Sequence, residues 1–129
     1  MKITHKNISI LVVDDEEGYR DLFRYMLEPM GISVCCVNDG LQALREIEKK
    51  PYDLILMDVH MPHMTGPEAL RRMRMIRPEQ KVVIFSSSSD PEYNQEKEVQ
   101  KVGVECLFKP VDMEDIQRVL KGSLGVDFA

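Results

Sequence analysis

Tryptophan is absent from this chain of 129 residues, and aromatic residues make up only 6% of it. No apolar run approaches the ~20 residues that a membrane-spanning helix needs, and the first such run is too short for the core of a signal peptide. Positive charge is in the minority, with 17 lysines and arginines against 22 aspartates and glutamates, which argues against general binding of nucleic acid or anionic membranes. We therefore expect a cytoplasmic protein that contacts neither nucleic acid nor membrane directly.

Cysteine is scarce as well, since the chain contains only Cys35, Cys36 and Cys106. Their odd number and the lack of CxxC or CxxH spacing predict neither a disulfide framework nor a zinc site. We interpret all three as small buried hydrophobic residues, which is the common state of a free cysteine in a folded domain.

Hydrophobic residues are abundant, at 43% of a chain whose length is typical of one domain. This content excludes disorder as the default and allows one core. The apolar residues collect in five short runs, at Ile8–Val13, Ser33–Val37, Asp53–Met57, Val82–Phe85 and Val104–Phe108. Most of these runs are continuous rather than alternating, which is typical of strands buried on both faces of a parallel sheet.

Helical periodicity separates and follows these runs. It predicts four amphipathic helices, with apolar faces at Tyr19–Met30, Leu41–Ile47, Ala69–Ile76 and Met113–Leu120. Pro29 and Gly31 should end the first of them. A fifth helix is predicted at Pro91–Val102, where few residues are apolar, so we expect it to be among the least stable elements. Five alternations of strand and helix indicate an α/β domain with helices on both faces of a parallel sheet.

Polar side chains follow four of the five predicted strands. Asp14 and Asp15 follow the first strand, Asp58 the third, Ser86 the fourth and Lys109 the fifth. In an open parallel sheet, ligands bind beyond the carboxyl ends of the strands, so these side chains should meet at one edge. We interpret them together as one functional site.

The chemistry of this predicted site follows from its charges. Three converging carboxylates repel one another, and a divalent cation relieves that repulsion. Oxygen ligands favour Mg²⁺ over zinc. Asp58 follows the strand predicted to be central, so we assign it as a nucleophile that can form an acyl phosphate, and Asp14 with Asp15 as metal ligands. The Lys109 ammonium and the Ser86 hydroxyl would then bind the phosphoryl oxygens.

In these residues the chain resembles the receiver domain of two-component response regulators, through motifs in the family's order: Val12-Val13-Asp14-Asp15-Glu16, Leu56-Met57-Asp58, Met61-Pro62, Gly66, Ser86 and Lys109-Pro110. The resemblance runs from about Ile8 to Leu120. We expect a stand-alone receiver domain at residues 1–129, with its core at about 8–121, and the alternative is a receiver domain cut out of a larger protein. The implied fold is flavodoxin-like and doubly wound, with a five-stranded parallel sheet of order 2-1-3-4-5 and five helices.

The resemblance also implies a signalling switch rather than an enzyme. Asp58 would accept a phosphoryl group from a histidine kinase or a histidine phosphotransfer protein, and the modified domain would change its affinity for a downstream protein target. Mg²⁺ would be held by the side chains of Asp15 and Asp58 and the backbone carbonyl of His60, with Asp14 acting partly through water. The Lys109–Pro110 peptide bond would be cis.

Further positions around the implied site bear on switching and hydrolysis. Cys106 stands where receivers usually carry the aromatic switch residue, so gating through an aromatic ring at that position is in question. His60 and Ser88 occupy positions that flank the acyl phosphate and tune its hydrolysis in the family. Ser87 follows Ser86 and is a second candidate for phosphate binding, with a turn or cap role as its alternative.

Two other functions stay open on the sequence alone. Haloacid-dehalogenase-type phosphatases also use an Asp nucleophile, a Lys and Mg²⁺, but they need Asp-x-Asp on the first strand, whereas this chain has Asp58-Val59-His60 on the third. The second is a pseudo-receiver, an interaction module that is never phosphorylated. Taken singly, Asp14 and Asp15 would also suit a helix N-terminus, and Lys109 a solvated surface.

Overall fold

The computed structural model describes residues 7–87 and 105–126. Their strands are β1 (Ser9–Val13), β2 (Ser33–Val37), β3 (Leu54–Asp58), β4 (Val82–Ser87) and β5 (Glu105–Lys109). Their α-helices are α1 (Glu17–Leu27), α2 (Gly40–Lys49), α3 (Gly66–Ile76) and α4 (Met113–Leu124). No helix in these two stretches is both long and apolar enough to cross a membrane.

All five strands form one parallel sheet in the order β2-β1-β3-β4-β5, which confirms the predicted topology. Every residue of the central strand β3 is buried, as its continuous apolar run predicts. The register sets Asp58, at the end of β3, beside Phe85 of β4. The carboxyl ends of the strands therefore lie along one edge of the sheet.

The four amphipathic helices form where their apolar periodicity predicts them. The fifth predicted helix, Pro91–Val102, lies outside the described residues. The first helix ends earlier than its apolar face suggests, because the chain tightens into a 3₁₀ turn at Glu28–Met30 that contains Pro29. Gly31 then adopts φ +84°, the left-handed conformation that glycine accepts without strain.

The sheet separates two apolar cores. On one face, Leu11 and Ile55 pack with α2 and α3. On the other face, Ile10 and Leu54 pack with α1 and α4. Alternate residues of the central strands thus pack into opposite cores. A shift of one residue would exchange the two sets of side chains, so packing on both faces fixes the register of each strand.

The three cysteines are free thiols that pack against the two cores, as predicted, but they are half-buried rather than buried. Cys35 and Cys36 lie on β2 and Cys106 lies on β5, which are the two edge strands of the sheet. An edge strand has a neighbour on one side only, so its side chains keep part of their surface exposed.

Gly66 begins α3 within close reach of the backbone beside Asp58. A Cβ atom at this position would lie 2.9 Å from the Cα atom of Val59 and 3.1 Å from the backbone oxygen of Asp58. The Gly66 N–H donates a hydrogen bond of 2.9 Å to the Val59 carbonyl, which holds the approach in place. A side chain on Gly66 would therefore push α3 away from the end of β3.

We expect Gly66→Ala to lower the free energy of unfolding by about 1–3 kcal/mol, because the contacted atoms belong to the backbone and have little freedom to shift. Gly122→Ala is the matched control. Gly122 lies in α4 with open space around it, so alanine there should stabilise the domain by about 0.5–1 kcal/mol. Urea unfolding of both variants measures the difference, and equal effects would contradict the role given to Gly66.

Candidate functional site

Four of the predicted site residues meet at the carboxyl edge of the sheet. Asp14 follows β1, Asp58 ends β3, Ser86 lies near the end of β4 and Lys109 ends β5. Asp14, Asp58 and Ser86 are buried, with 1%, 6% and 1% of their surface exposed. Buried carboxylates need compensating partners, since the interior disfavours an isolated charge.

Lys109 supplies that compensation. Its ammonium lies 3.1 Å from a carboxylate oxygen of Asp14, 3.4 Å from one of Asp58 and 3.4 Å from one of Glu16. The side chains of Lys109, Asp14 and Asp58 are only 11%, 2% and 8% exposed, so solvent screens the two pairs with these aspartates weakly. One cation thus serves three carboxylates, and the cluster keeps an excess of negative charge.

The pKa values in the cluster reflect burial first and neighbouring charge second. Burial raises the pKa of Asp58 from 3.8 to about 6; the Lys109 ammonium opposes this rise and the Asp14 carboxylate adds to it. Burial also raises the pKa of Asp14, against the Glu16 backbone N–H and Lys109. For Lys109, burial lowers the pKa, but Asp58 and Asp14 outweigh it, so the pKa is raised and the ammonium stays charged.

Local hydrogen bonds fix the two acidic loops. The Glu16 N–H donates to Asp14 Oδ1 at 2.9 Å, and the Arg20 guanidinium donates to the Asp14 backbone oxygen at 2.7 Å. The His60 N–H donates to Asp58 Oδ1 at 3.3 Å. Each carboxylate is therefore oriented by the backbone of the loop that follows its own strand.

The carboxylates of Asp14, Glu16 and Asp58 form a group whose oxygen atoms lie within 4.8 Å of one another. A hard divalent cation such as Mg²⁺ prefers oxygen ligands of this kind, so the donor set fits that ion. Glu16 was not predicted as a member of this group, because in the sequence it only continues the acidic motif after β1. Asp15, a predicted ligand, is exposed and lies outside this group.

The remaining predicted residues are distributed around this centre. Ser87 ends β4, and Ser88 lies outside the described residues. The Lys109–Pro110 peptide bond is cis, the form that the resemblance implies. Cys106 lies on β5 and packs against the core that contains α2 and α3.

Tyr19 is a further residue of the site that the sequence analysis assigned only to an apolar helix face. Its ring lies under the Lys109 ammonium, with 3.9 Å between the nitrogen and the ring centroid. The apolar periodicity of the first helix predicts that Tyr19 faces inward, but no motif links it to a lysine 90 positions away in the chain.

Comparison with known proteins identifies the family. The sequence pattern of the response regulator receiver domain matches residues 10–121. The chain belongs to this family. Its sequence is 34% identical over 116 residues to sporulation initiation phosphotransferase F of Bacillus subtilis, which covers 89% of this chain and 92% of that protein. It is also 34% identical over 123 residues to the transcriptional regulatory protein ZraR of Escherichia coli K12, and spans 27% of that longer protein.

Solved structures agree in fold. The receiver domain of the sensor histidine kinase PA1611 from Pseudomonas aeruginosa matches with a TM-score of 0.82 and 27% identity, over 93% of this chain and 99% of that one. That structure has a magnesium ion coordinated in its active site cleft. The chemotaxis protein CheY4 of Vibrio cholerae matches with a TM-score of 0.80 and 28% identity, over 92% of this chain and 99% of that one.

Membership of the family confirms the predicted receiver domain and its flavodoxin-like sheet. Receiver domains are phosphoryl-accepting domains of two-component signalling, not classic enzymes, and the phosphatase alternative is thereby set aside. The predicted phospho-accepting function is supported by the same relatives.

The raised pKa of Asp58 predicts a pH dependence of stability in metal-free buffer. A carboxyl whose pKa is raised on folding favours the folded state below its ordinary pKa of 3.8, and this contribution is lost as the pH rises through about 6. We therefore expect Asp58→Asn to stabilise the domain by about 2–3 kcal/mol at neutral pH, and the gain to shrink on acidification.

Urea unfolding of wild type and Asp58→Asn between about pH 8 and pH 4, with a chelator present, measures this difference. Asp21→Asn is the control, because Asp21 is an exposed aspartate of α1 that is not part of the carboxylate cluster. If the free energy of unfolding differs between Asp58→Asn and wild type by the same amount at every pH, the raised pKa of Asp58 is contradicted.

Proposed function

We propose that Asp58 accepts the phosphoryl group, in a receiver domain at residues 1–129 whose core spans about 8–121. The observation that carries this proposal is the contact of one buried ammonium, that of Lys109, with the carboxylates of both Asp58 and Asp14. Phosphoryl transfer depends on positive charge beside the transferring oxygens more than on an acid or a base. The site holds such a charge beside a buried carboxylate at the end of the central strand.

The transfer would proceed by attack of an Asp58 carboxylate oxygen on the phosphorus of a phosphohistidine. A P–O bond forms while the P–N bond breaks, and the electron pair of the broken bond stays on the imidazole nitrogen of the donor. Lys109 stabilises the charge on the phosphoryl oxygens through its ammonium. Ser86, buried near the end of β4, would donate its hydroxyl hydrogen to another phosphoryl oxygen.

The oxygen donors at this edge suit Mg²⁺, which would neutralise negative charge on the phosphoryl oxygens when bound. We assign the side chains of Asp15 and Asp58 and the backbone carbonyl of His60 as its ligands, with Asp14 acting partly through water. Support comes from the clustered carboxylates of Asp14, Glu16 and Asp58 and from the magnesium ion in the cleft of the Pseudomonas aeruginosa relative. The assignment of Asp15, which lies outside that cluster, rests on its place in the family's acidic motif. Glu16 adds further negative charge to the site.

Regulation would follow from the charge added at Asp58. A phosphoryl group brings more negative charge and strong hydrogen-bond acceptors, which attract Lys109 and Ser86. His60 and Ser88 would tune its hydrolysis, Ser87 is a second candidate for phosphate binding, and Cys106 stands at the switch position. The domain would then change its affinity for a downstream protein.

The phosphoryl donor would be a histidine kinase or a histidine phosphotransfer protein. Relatives named as a probable histidine kinase of rice and the sensor protein EvgS of Escherichia coli support this class of partner. A cytoplasmic location fits such a donor, because histidine kinases draw their phosphoryl group from ATP. No direct contact with nucleic acid or membrane is proposed for this domain.

The first experiment is intact-mass spectrometry after incubation with Mg²⁺ and acetyl phosphate. We expect one added phosphoryl group on the wild type, none on Asp58→Asn and none when Mg²⁺ is removed by a chelator. Asp21→Asn, an exposed aspartate on α1, should be modified like the wild type. Failure to modify the wild type with Mg²⁺ bound, by acetyl phosphate or by a phosphorylated phosphotransfer protein, would favour a pseudo-receiver.

Lys109 should oppose the binding of Mg²⁺ to the unphosphorylated domain, since its ammonium lies 3.1 Å and 3.4 Å from carboxylates of the proposed metal site. We expect Lys109→Met to tighten Mg²⁺ binding by about fivefold or more, because the substitution removes a like charge and keeps the length of the side chain. Isothermal titration calorimetry measures this, with Lys121→Met on the exposed side of α4 as control. Weaker binding in Lys109→Met would show that the ammonium does not compete with the metal.

A further inference from the structure

The Lys109 ammonium is restrained from two directions. Carboxylates of Asp14, Asp58 and Glu16 lie within 3.1–3.4 Å of it, and the face of the Tyr19 ring lies 3.9 Å from it. The carboxylates attract the ammonium toward the acidic edge of the sheet. The Tyr19 ring contacts it from the side of α1, so the ammonium has close neighbours on two sides.

The Tyr19 ring is itself held by an aromatic stack that reaches the central sheet. Tyr19 packs on Phe23 with ring centroids 6.3 Å apart, and Phe23 packs on Phe85 at 5.2 Å. Phe23 and Phe85 are each only 1% exposed. Phe85 pairs in register with Asp58 and directly precedes Ser86. The ring under Lys109 is thus connected through Phe23 to β4, the strand that carries Ser86 and pairs with β3.

A cation over an aromatic face is attracted by the electron density of the ring, and the attraction is larger where water is excluded. Here the Lys109 side chain is only 11% exposed, so the contact is partly desolvated. The ring face also fixes the side of the ammonium from which this attraction acts. The contact therefore acts on both the energy and the direction of the ammonium.

We propose that Tyr19 is a positioning residue, whose ring holds the Lys109 ammonium beside Asp58 through a cation–π contact and so sets the rate of phosphoryl transfer. The inference rests on the proposed function of Asp58, but the contact itself is testable without any transfer. The ring carries the effect and the hydroxyl does not, so phenylalanine should replace tyrosine and an aliphatic residue should not.

The first test is a nuclear magnetic resonance measurement of Lys109. Protons above an aromatic face resonate upfield, so the ε-methylene protons of Lys109 should lie upfield of those of the other lysines in the wild type. Tyr19→Phe should keep this shift, and Tyr19→Leu should abolish it. Ordinary ε-methylene shifts for Lys109 in the wild type would overturn the proposal, even if no substituted protein folded.

The second test compares phosphorylation rates with acetyl phosphate and Mg²⁺ by intact-mass spectrometry. Tyr19→Leu should slow the reaction by about threefold to tenfold, the factor expected from losing a partly desolvated cation–π contact. Tyr19→Phe should restore the rate to within about twofold of wild type, since its ring keeps most of the attraction. Tyr25→Leu is the matched control, because Tyr25 lies on the same helix with 77% of its surface exposed.

The outcomes separate the inference from the function on which it rests. If wild type is never phosphorylated but shows the upfield lysine resonance, the proposed function fails and the cation–π contact stands without its effect on transfer. A rate in Tyr19→Phe as low as in Tyr19→Leu would overturn the proposal, because the hydroxyl would then carry the effect. An unchanged rate in a folded Tyr19→Leu would overturn it as well. In a Lys109→Met background, Tyr19→Leu should have no further effect on the rate, and an undiminished effect would contradict the coupling.

Discussion

The site depends on one ion cluster, the Lys109 ammonium among the carboxylates of Asp14, Asp58 and Glu16. Removing two carboxylates from water is costly, and one lysine offsets only part of that cost, which is why the pKa values of Asp58 and Asp14 remain raised. The unbalanced negative charge is the property that suits the cluster to a divalent cation. Without metal, the same excess charge lowers the stability of the folded state as the pH rises to neutral.

The fold holds the carboxylates of this cluster close together through several elements. Parallel register brings the ends of β1, β3 and β5 to one edge, and hydrogen bonds from Glu16 and His60 orient the two buried carboxylates. Behind Asp58, Gly66 lets α3 approach the backbone closely. The Tyr19 ring contacts the Lys109 ammonium, with its centroid 3.9 Å from the nitrogen. These contacts oppose a movement of the chain that would separate the carboxylates. Their mutual repulsion is then reduced by a bound cation or by protonation.

Much of this site could be predicted from sequence because it lies at strand ends. Asp14, Asp58, Ser86 and Lys109 each follow an apolar run, and a parallel sheet turns that order into proximity. Glu16 and Tyr19 could not be found in the same way. Their roles depend on how the start of α1 packs against the end of β5, and such packing between elements distant in the chain leaves no local pattern. The cysteines show the same limit, since their half-buried state follows from β2 and β5 being the edge strands.

The three ion pairs of Lys109 are not equivalent, and this difference would give the proposed switch a direction. Asp14 and Asp58 are buried, whereas the Glu16 side chain is 62% exposed, so water screens its pair with Lys109 most strongly. A phosphoryl group on Asp58 adds charge on the buried side of the ammonium. The contact that the ammonium can release at least cost is then the one to Glu16, at the start of α1. Under the proposed function, phosphorylation at the end of β3 would therefore affect the loop that begins the first helix, through the ammonium of Lys109.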